Sequence, residues 1–425
     1  MASQLDKRTC GPGRGVGQER MPAAGRSGMR PEWRPAEGST ATPQADPSPK
    51  EAPRVSSPDG PPRPAAARRG ASRQSVLVVQ DPQALGEFVT AWEDLAAAAL
   101  EPNVYFEPWM LQNALKAFGA RDNLRVLMVH NHPSGRPDPA GKLALLVPLQ
   151  PTLSFKQLRV IESWIYPQCG LGAPLVRAPG ARESVARLLD WANSEGSGAS
   201  LLALKRIARG GPLHTLIFQV AVEAGLHPSS TDAAGRGLWR HAEGADSDAA
   251  LPIGLRRRLR QKEQRLAQRG HLRHRVLQPG DDVGGWIDDF ARLVRDSTQA
   301  GASLLASDQG RRFFEATIEE ALRRGRLILL GLDFDGAPMA RRCLLTVGGG
   351  AVALETAYEE ELAMFSPAEL LELHCLRHLH ALGLQWMDGG AASTSRLLNE
   401  ELTVETVVIG GGTDDPVVSG PPPQG

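Results

Sequence analysis

The sequence predicts a mixed α/β protein (α+β in layout) built as two tandem units, each a mixed, mostly antiparallel sheet flanked by helices, with a disordered N-terminal tail in front of both. Three observations predict it. Strand-like, β-branched runs alternate with segments of 3.6-residue apolar rhythm from Ser75 to Ile409. Each half centres on a hairpin followed by a helix and a strand, and the second hairpin turns on Asp335-Gly336, a dipeptide that readily adopts positive φ. Residues 1–72 hold 12 of the 33 prolines and almost no aliphatic side chains, too little apolar surface to offset chain entropy.

Element by element, Ser75–Val79 is a β-branched strand, and Pro82–Leu100 is an amphipathic helix with Leu85, Phe88, Trp92 and Leu95 at helical spacing. Pro108–Phe118 repeats that rhythm. Leu124–His130 and Leu143–Gln150 are strands joined by the Pro/Gly-rich turn His132–Gly141. Strands at Gln157–Ile161, Ala173–Val176 and Ser200–Lys205 and helices at Ala181–Ser194 and Gly211–Ala224 complete the first half. The second half opens with the basic helix Pro252–Arg269, then a strand at Leu272–Leu277 and helices at Asp282–Ser297 and Ser307–Arg323. The hairpin Arg326–Phe334 and Pro338–Val347 and the strand Gly350–Tyr358 follow. A helix at Pro367–Leu382 and strands at Leu384–Asp388 and Thr403–Ile409 close it. The expected organisation is a disordered tail at 1–72, units at 73–248 and 249–412, and a short disordered tail at 413–425.

With 425 residues and 48 basic against 48 acidic side chains, the chain has no net charge to hold it to nucleic acid or membrane, so electrostatic recognition must come from local patches. Cys10, Cys169, Cys343 and Cys375 are far apart, which argues against a disulfide scaffold or a zinc site. His374 and His378 stand at i, i+4 on one helix, yet no third ligand is evident, so no metal is expected. No stretch approaches the ~20 consecutive apolar residues of a membrane helix, and the start lacks a secretory apolar core; a cytoplasmic location is expected.

Four segments carry a resemblance to a known family. They are Asn103-Val104-Tyr105-Phe106-Glu107-Pro108-Trp109; the basic run Arg256–Gly270, ending Leu266-Ala267-Gln268-Arg269-Gly270; Leu332-Asp333-Phe334-Asp335-Gly336-Ala337-Pro338-Met339-Ala340; and Ala357-Tyr358-Glu359-Glu360-Glu361 leading to Phe365-Ser366-Pro367-Ala368-Glu369-Leu370-Leu371 and Asp388-Gly389-Gly390. In this order they resemble the GNAT acyltransferase superfamily, in its tandem FemAB-type and CelD-like branch. The resemblance implies two GNAT-like units and acyl transfer from acetyl-CoA or another acyl-CoA to an amine or hydroxyl of a small-molecule, sugar or cell-envelope precursor. Where that family has Gly-Trp-Lys-Gly, this chain has Ser297-Thr298-Gln299-Ala300-Gly301-Ala302, and no Gly-rich phosphate loop stands in Tyr358–Phe365. Two alternatives therefore accompany the first reading: a FemAB-like transferase using an aminoacyl-tRNA donor, and a catalytically degenerate protein holding an anionic partner through its basic helix.

Acyl transfer from a thioester needs a seat for the donor's phosphates, a polarised carbonyl and a base. Ser366-Pro367-Ala368-Glu369 has the pattern of a capping box with proline at the first helical position, which would aim free N–H groups of Ser366 and Ala368's turn at an anion. Arg257 and Arg258 are the candidate phosphate-binding cations of the basic helix. Glu355 and Tyr358 are candidate catalytic groups of one strand; their spacing puts them on opposite faces unless a bulge intervenes. Asp388, before a Gly-Gly pair, is the third catalytic candidate, or else a turn-forming aspartate.

Overall fold

A computed structural model describes residues 74–411 apart from 120–122, 133–141, 154–157, 195–196, 242–250, 296, 298–300, 302 and 391–394. The two expected tails, 1–72 and 413–425, lie outside the described residues.

The first half runs β1 (Gln74–Val79), α1 (Val89–Ala97), α2 (Pro108–Phe118), β2 (Arg125–Asn131), β3 (Lys142–Leu153), β4 (Arg159–Ser163), β5 (Leu175–Val176), α3 (Ala181–Ala192), β6 (Leu201–Ala208), α4 (Pro212–Glu223) and β7 (Leu226–Arg240). The helix expected from Pro82 is 3-10 in its first part, Pro82–Phe88, where Asp81 accepts the Gln83 N–H at 2.9 Å. Gly86, a poor α-helix former, sits in that stretch. The second half runs α5 (Ile253–Ala267), β8 (Leu272–Val276), α6 (Val283–Arg295), α7 (Asp308–Arg323), β9 (Leu327–Phe334), β10 (Ala337–Val347), β11 (Gly350–Tyr358), α8 (Pro367–Ala381), β12 (Trp386–Asp388) and β13 (Glu400–Gly411).

All the strands join one sheet in the order β1-β2-β3-β4-β6-β13-β7-β12-β11-β10-β9-β8, with β5 paired to β3. Read inward from either edge, the order is the same. Four strands lead to a parallel pair, β4 with β6 in the first half and β11 with β12 in the second. After each pair comes a long strand from the other half: β13 lies beside β6, and β7 beside β12. The halves are thus joined by an exchange of their last strands. No helix among the described residues is long and apolar enough to cross a membrane.

Strand β7 has no apolar alternation to announce it: Ser229-Ser230-Thr231-Asp232-Ala233-Ala234-Gly235 is exposed throughout. Its ladder with β13, from Glu400↔Leu238 to Gly411↔Leu226, holds it in place. Gly237 is required there, since a Cβ would lie 2.3 Å from the Leu398 side chain.

Three apolar clusters fill the layers. One, with Trp92, Trp109, Phe290, Phe313 and Phe314, lies under α1, α2, α6 and α7 and is common to both halves. A second packs α3 and α4 on the first half; a third packs α5 and α8 on the second. Aromatic contacts weld the shared layer, Phe118 to Phe313 at 5.2 Å and Tyr166 to Phe313 at 5.6 Å.

A carboxylate fastens β13 into the first half. Glu405, 2% exposed, accepts from Ser230 Oγ (2.5 Å) and Arg209 Nε (2.5 Å) and pairs with His214 Nε2 (2.7 Å). Burial opposes its ionisation, but these three partners hold its pKa below the usual carboxylate range. Glu405→Ala leaves the His214 and Ser230 groups without their acceptor and is expected to cost about 1–3 kcal/mol in urea denaturation. Arg209→Ala, at a half-exposed side chain, is expected to cost less than about 1 kcal/mol.

Candidate active site

Strands β11 and β12 run side by side for two residues, Ala351↔Met387 and Val352↔Asp388, and then part. β11 continues from Ala353 to Tyr358 with β10 on one side and no β12 partner on the other. In the first half the corresponding split, past Glu162↔Ala203, is closed by the chain itself. Trp164, Tyr166 and Cys169 are buried there, and the Gly172 N–H bonds to Arg206 O at 3.3 Å. Arg206 and Arg236 donate to the carbonyls of Cys169 and Gly170, and burial pushes the Cys169 thiol up to about 12. In the second half β12 ends at Asp388, and no described strand pairs with β11 on that side beyond Val352.

Glu355 stands next to that split. The register of β10 and β11 slips by one residue, from Cys343↔Glu355 to Leu344↔Ala353, which leaves Leu354 without a partner. The bulge precedes Glu355, so Glu355 and Tyr358 keep opposite faces. Glu355 lies on the side of the shared aromatic layer, where its Oε2 accepts the Leu304 N–H at 3.0 Å. Tyr358 packs against the α5/α8 cluster instead. Burial of the 7% exposed Glu355 raises its pKa to about 7, against the opposing pull of the Leu304 N–H, the Ser303 hydroxyl and the Thr356 N–H. A carboxyl poised there can take or give a proton near neutral pH.

Asp388, at the end of β12, is 2% exposed and spent on a buried ion pair, its Oδ2 lying 2.6 Å from Arg236 Nη2. Its Oδ1 accepts the Gly390 N–H at 3.0 Å, the turn geometry expected of an Asp-Gly-Gly sequence. Arg236 was not singled out by sequence; flanked by Gly235 and Gly237 in a polar strand, it shows no apolar or motif signal. Ser303 and Leu304 were missed for a similar reason, since they reach Glu355 only through tertiary packing.

The start of α8 departs from the capping box read in the sequence. Ser366 is the N-cap residue but has φ +53° and makes no side-chain cap bond; its hydroxyl accepts from Lys262 Nζ. Glu369 turns outward to Arg258, 3.0 Å away, rather than back to the Ser366 N–H. The cause is α5, which packs by Leu255, Leu259 and Leu266 beside α8 and presents Arg258 and Lys262 to its first turn. The first helical bond is Leu370 N–H to Ser366 O at 3.0 Å, so the amides of Ala368 and Glu369 precede it. Arg269 lies 4.9 Å above the Phe365 ring, while Arg257 is exposed on the outer face of α5. The helix start thus gathers two amides and the cations Lys262 and Arg258 around one carboxylate.

Among the described residues no group of three or more His, Cys, Asp or Glu could hold a metal. His374 and His378 do not assemble one. His374 stacks edge-on to His274 at 4.7 Å, and burial, with the His274 charge, lowers its pKa to about 4.

The segment that contains Glu355, the split and the α8 start, residues 254–395, matches the family model of the acetyltransferase (GNAT) domain. No curated protein matches the chain. Among solved structures, FemX is similar with 10% identity over 75% of this chain and 95% of its own, at a TM-score of 0.51. The C-terminal domain of a putative lysylphosphatidylglycerol synthetase from Agrobacterium fabrum is 12% identical over 76% of this chain and 91% of its own, at 0.46. A tandem GNAT protein from the clavulanic acid biosynthesis pathway is 16% identical over 80% of this chain and 100% of its own, at 0.41. The likeness to FemX is one of fold, and the family match lies within residues 254–395.

Proposed function

We propose that the GNAT domain transfers an acyl group from an acyl-CoA thioester to an amine or hydroxyl of a small-molecule, sugar or envelope-precursor acceptor, with Glu355 as the base. What carries this reading is a buried carboxyl with a pKa of about 7 beside the split between β11 and β12. In the step itself the acceptor nitrogen or oxygen attacks the thioester carbonyl and its proton passes to Glu355. The tetrahedral oxyanion collapses as the C–S bond breaks, and the thiolate leaves to be protonated. Leu354, out of register with β10, stands one residue before the base. The free edge of β11 from Ala353 to Tyr358 offers amides and carbonyls to an extended donor arm, and the α8 start offers N–H groups, Lys262 and Arg258 to its phosphates. In this reading Asp388, spent on Arg236, and Tyr358, on the other face, do not share the base's site.

A second reading has support of its own. Arg257 and Arg265 are exposed on α5 and form no ion pair among the described residues, a surface suited to holding an anionic partner, the tRNA of an aminoacyl donor included. Calorimetric titration of the full chain with acetyl-CoA, longer acyl-CoAs and free CoA at low and high salt separates the two. Saturable binding, tighter for the acyl forms than for CoA and weakened by Lys262→Ala, is expected. No binding at millimolar donor would sink the acyl-CoA reading and leave the anion-binding one.

A further inference from the structure

Far from Glu355, at the other end of β11, two adjoining cavities of about 780 and 410 Å³ meet at Pro108, Trp109 and Arg324. The larger lies between α1, the start of α2 and the β10–β11 turn Gly348-Gly349; the smaller runs on between α2 and α7. Together they form a groove that both halves of the chain line, and each is within the size range of small-ligand sites, ~300–1,000 Å³.

The groove's polar walls are electrically balanced. Its carboxylates are Glu93, Glu107, Glu319 and Glu320, and its cations are Lys116, Arg323, Arg324 and Arg326. Most are held to one another. Arg324 bonds Glu320 (2.5 Å) and Glu93 (3.0 Å), Arg326 bonds both oxygens of Glu107, and Trp109 Nε1 donates to Glu107 at 2.8 Å. Guanidiniums so neutralised do not attract a free anion, but their fixed geometry still offers spare donors and acceptors to a neutral polar ligand. Beside them Gln112 and Asn113, half-buried on α2, have amides with no hydrogen-bond partner among the described residues. The apolar lining includes Ala96, Ala97, Pro102, Pro108 and Leu384, with Trp109 where the two cavities meet.

We propose that this groove binds a neutral oligosaccharide. Amides and paired charges answer hydroxyl groups, which donate and accept at once, and the apolar lining takes the C–H faces of the rings. Two adjoining cavities give room for more than one sugar unit. A peptide fits less well, because the flanking helices α1, α2 and α7 have their backbone groups already bonded and present no strand edge to extend. The site does not rest on the acyl-transfer reading, and Glu355 retains its role whether or not the groove binds sugar.

The test is a calorimetric titration of the full chain with neutral tetrasaccharides of glucose and of N-acetylglucosamine, at low and high salt, with a neutral hexapeptide in parallel. Saturable binding of at least one tetrasaccharide at millimolar concentration is expected, insensitive to salt. Ala97→Trp, at an exposed position that fills the groove, and Gln112→Leu, which removes an unpartnered amide, are each expected to weaken it at least about fivefold. Binding of neither sugar, sugar binding unchanged in both variants, strong salt dependence, or hexapeptide binding that Ala97→Trp abolishes would each overturn the proposal.

Discussion

Glu355→Gln is expected to lower the acyl-transfer rate by about 10²–10⁴-fold, the usual contribution of a positioned base, with donor binding unchanged. Glutamine keeps the shape and can still accept the Leu304 N–H, so the fold survives while the proton acceptor is lost. In the native chain the rate should rise with pH through about 7, as burial-raised Glu355 gives up its proton, and this limb should vanish in the variant. Stability should move the other way. The folded carboxyl keeps a proton that the unfolded chain has already lost between the ordinary carboxylate range and pH 7, so its stabilising contribution is present at low pH and lost as pH rises through 7. The variant, with no charge to bury, should therefore gain stability over the native chain above pH 7. A rate–pH profile that keeps its limb in Glu355→Gln would remove Glu355 from the mechanism.

Arg236→Met is expected to cost about 3–5 kcal/mol of stability, because it leaves the Asp388 carboxylate buried without its cation. Arg236 also donates to the Gly170 carbonyl at 2.5 Å, so the loss reaches from the second half into the segment that closes the split of the first. Adding Asp388→Asn to Arg236→Met should recover part of the loss, since the stranded charge goes with it. Urea denaturation of the three variants measures this directly. A single Arg236→Met loss below about 1 kcal/mol, or a double variant no better than it, would show that the pair does not hold the halves together.

The helices and hairpins were legible because their signals are local. Pro108–Phe118 carries proline at its first position and an apolar stripe, and the structure places α2 over the same residues. The Asp335-Gly336 turn, both residues at positive φ, closes the β9–β10 hairpin where expected. What was not legible depends on partners distant in sequence. Strand β7 is polar and exposed, and only pairing with β13, over 160 residues later, makes it a strand. The capping pattern at Ser366-Pro367-Ala368-Glu369 was read from spacing, but the basic helix α5 supplies Lys262 and Arg258, which take both polar groups. Of the site, Glu355 and Asp388 stood out by position in their strands. Neither the pKa of one nor the ion pair of the other is written in local sequence, since the first comes from burial in the folded layers and the second from Arg236 on a distant strand.

The exchange of last strands has a consequence for how the chain emerges during synthesis. β6 must wait for its neighbour β13, whose first residue, Glu400, follows Ala208 by 192 residues. At ~5–20 residues per second, the first half is made some 10–40 seconds before the strand that covers its open edge. Through that interval it is an unfinished sheet with β6 unpaired on one side, the kind of edge that invites association with other nascent chains. Cell-level yield of this protein is therefore tied to translation speed and to chaperone cover of one strand, apart from the stability of the finished fold.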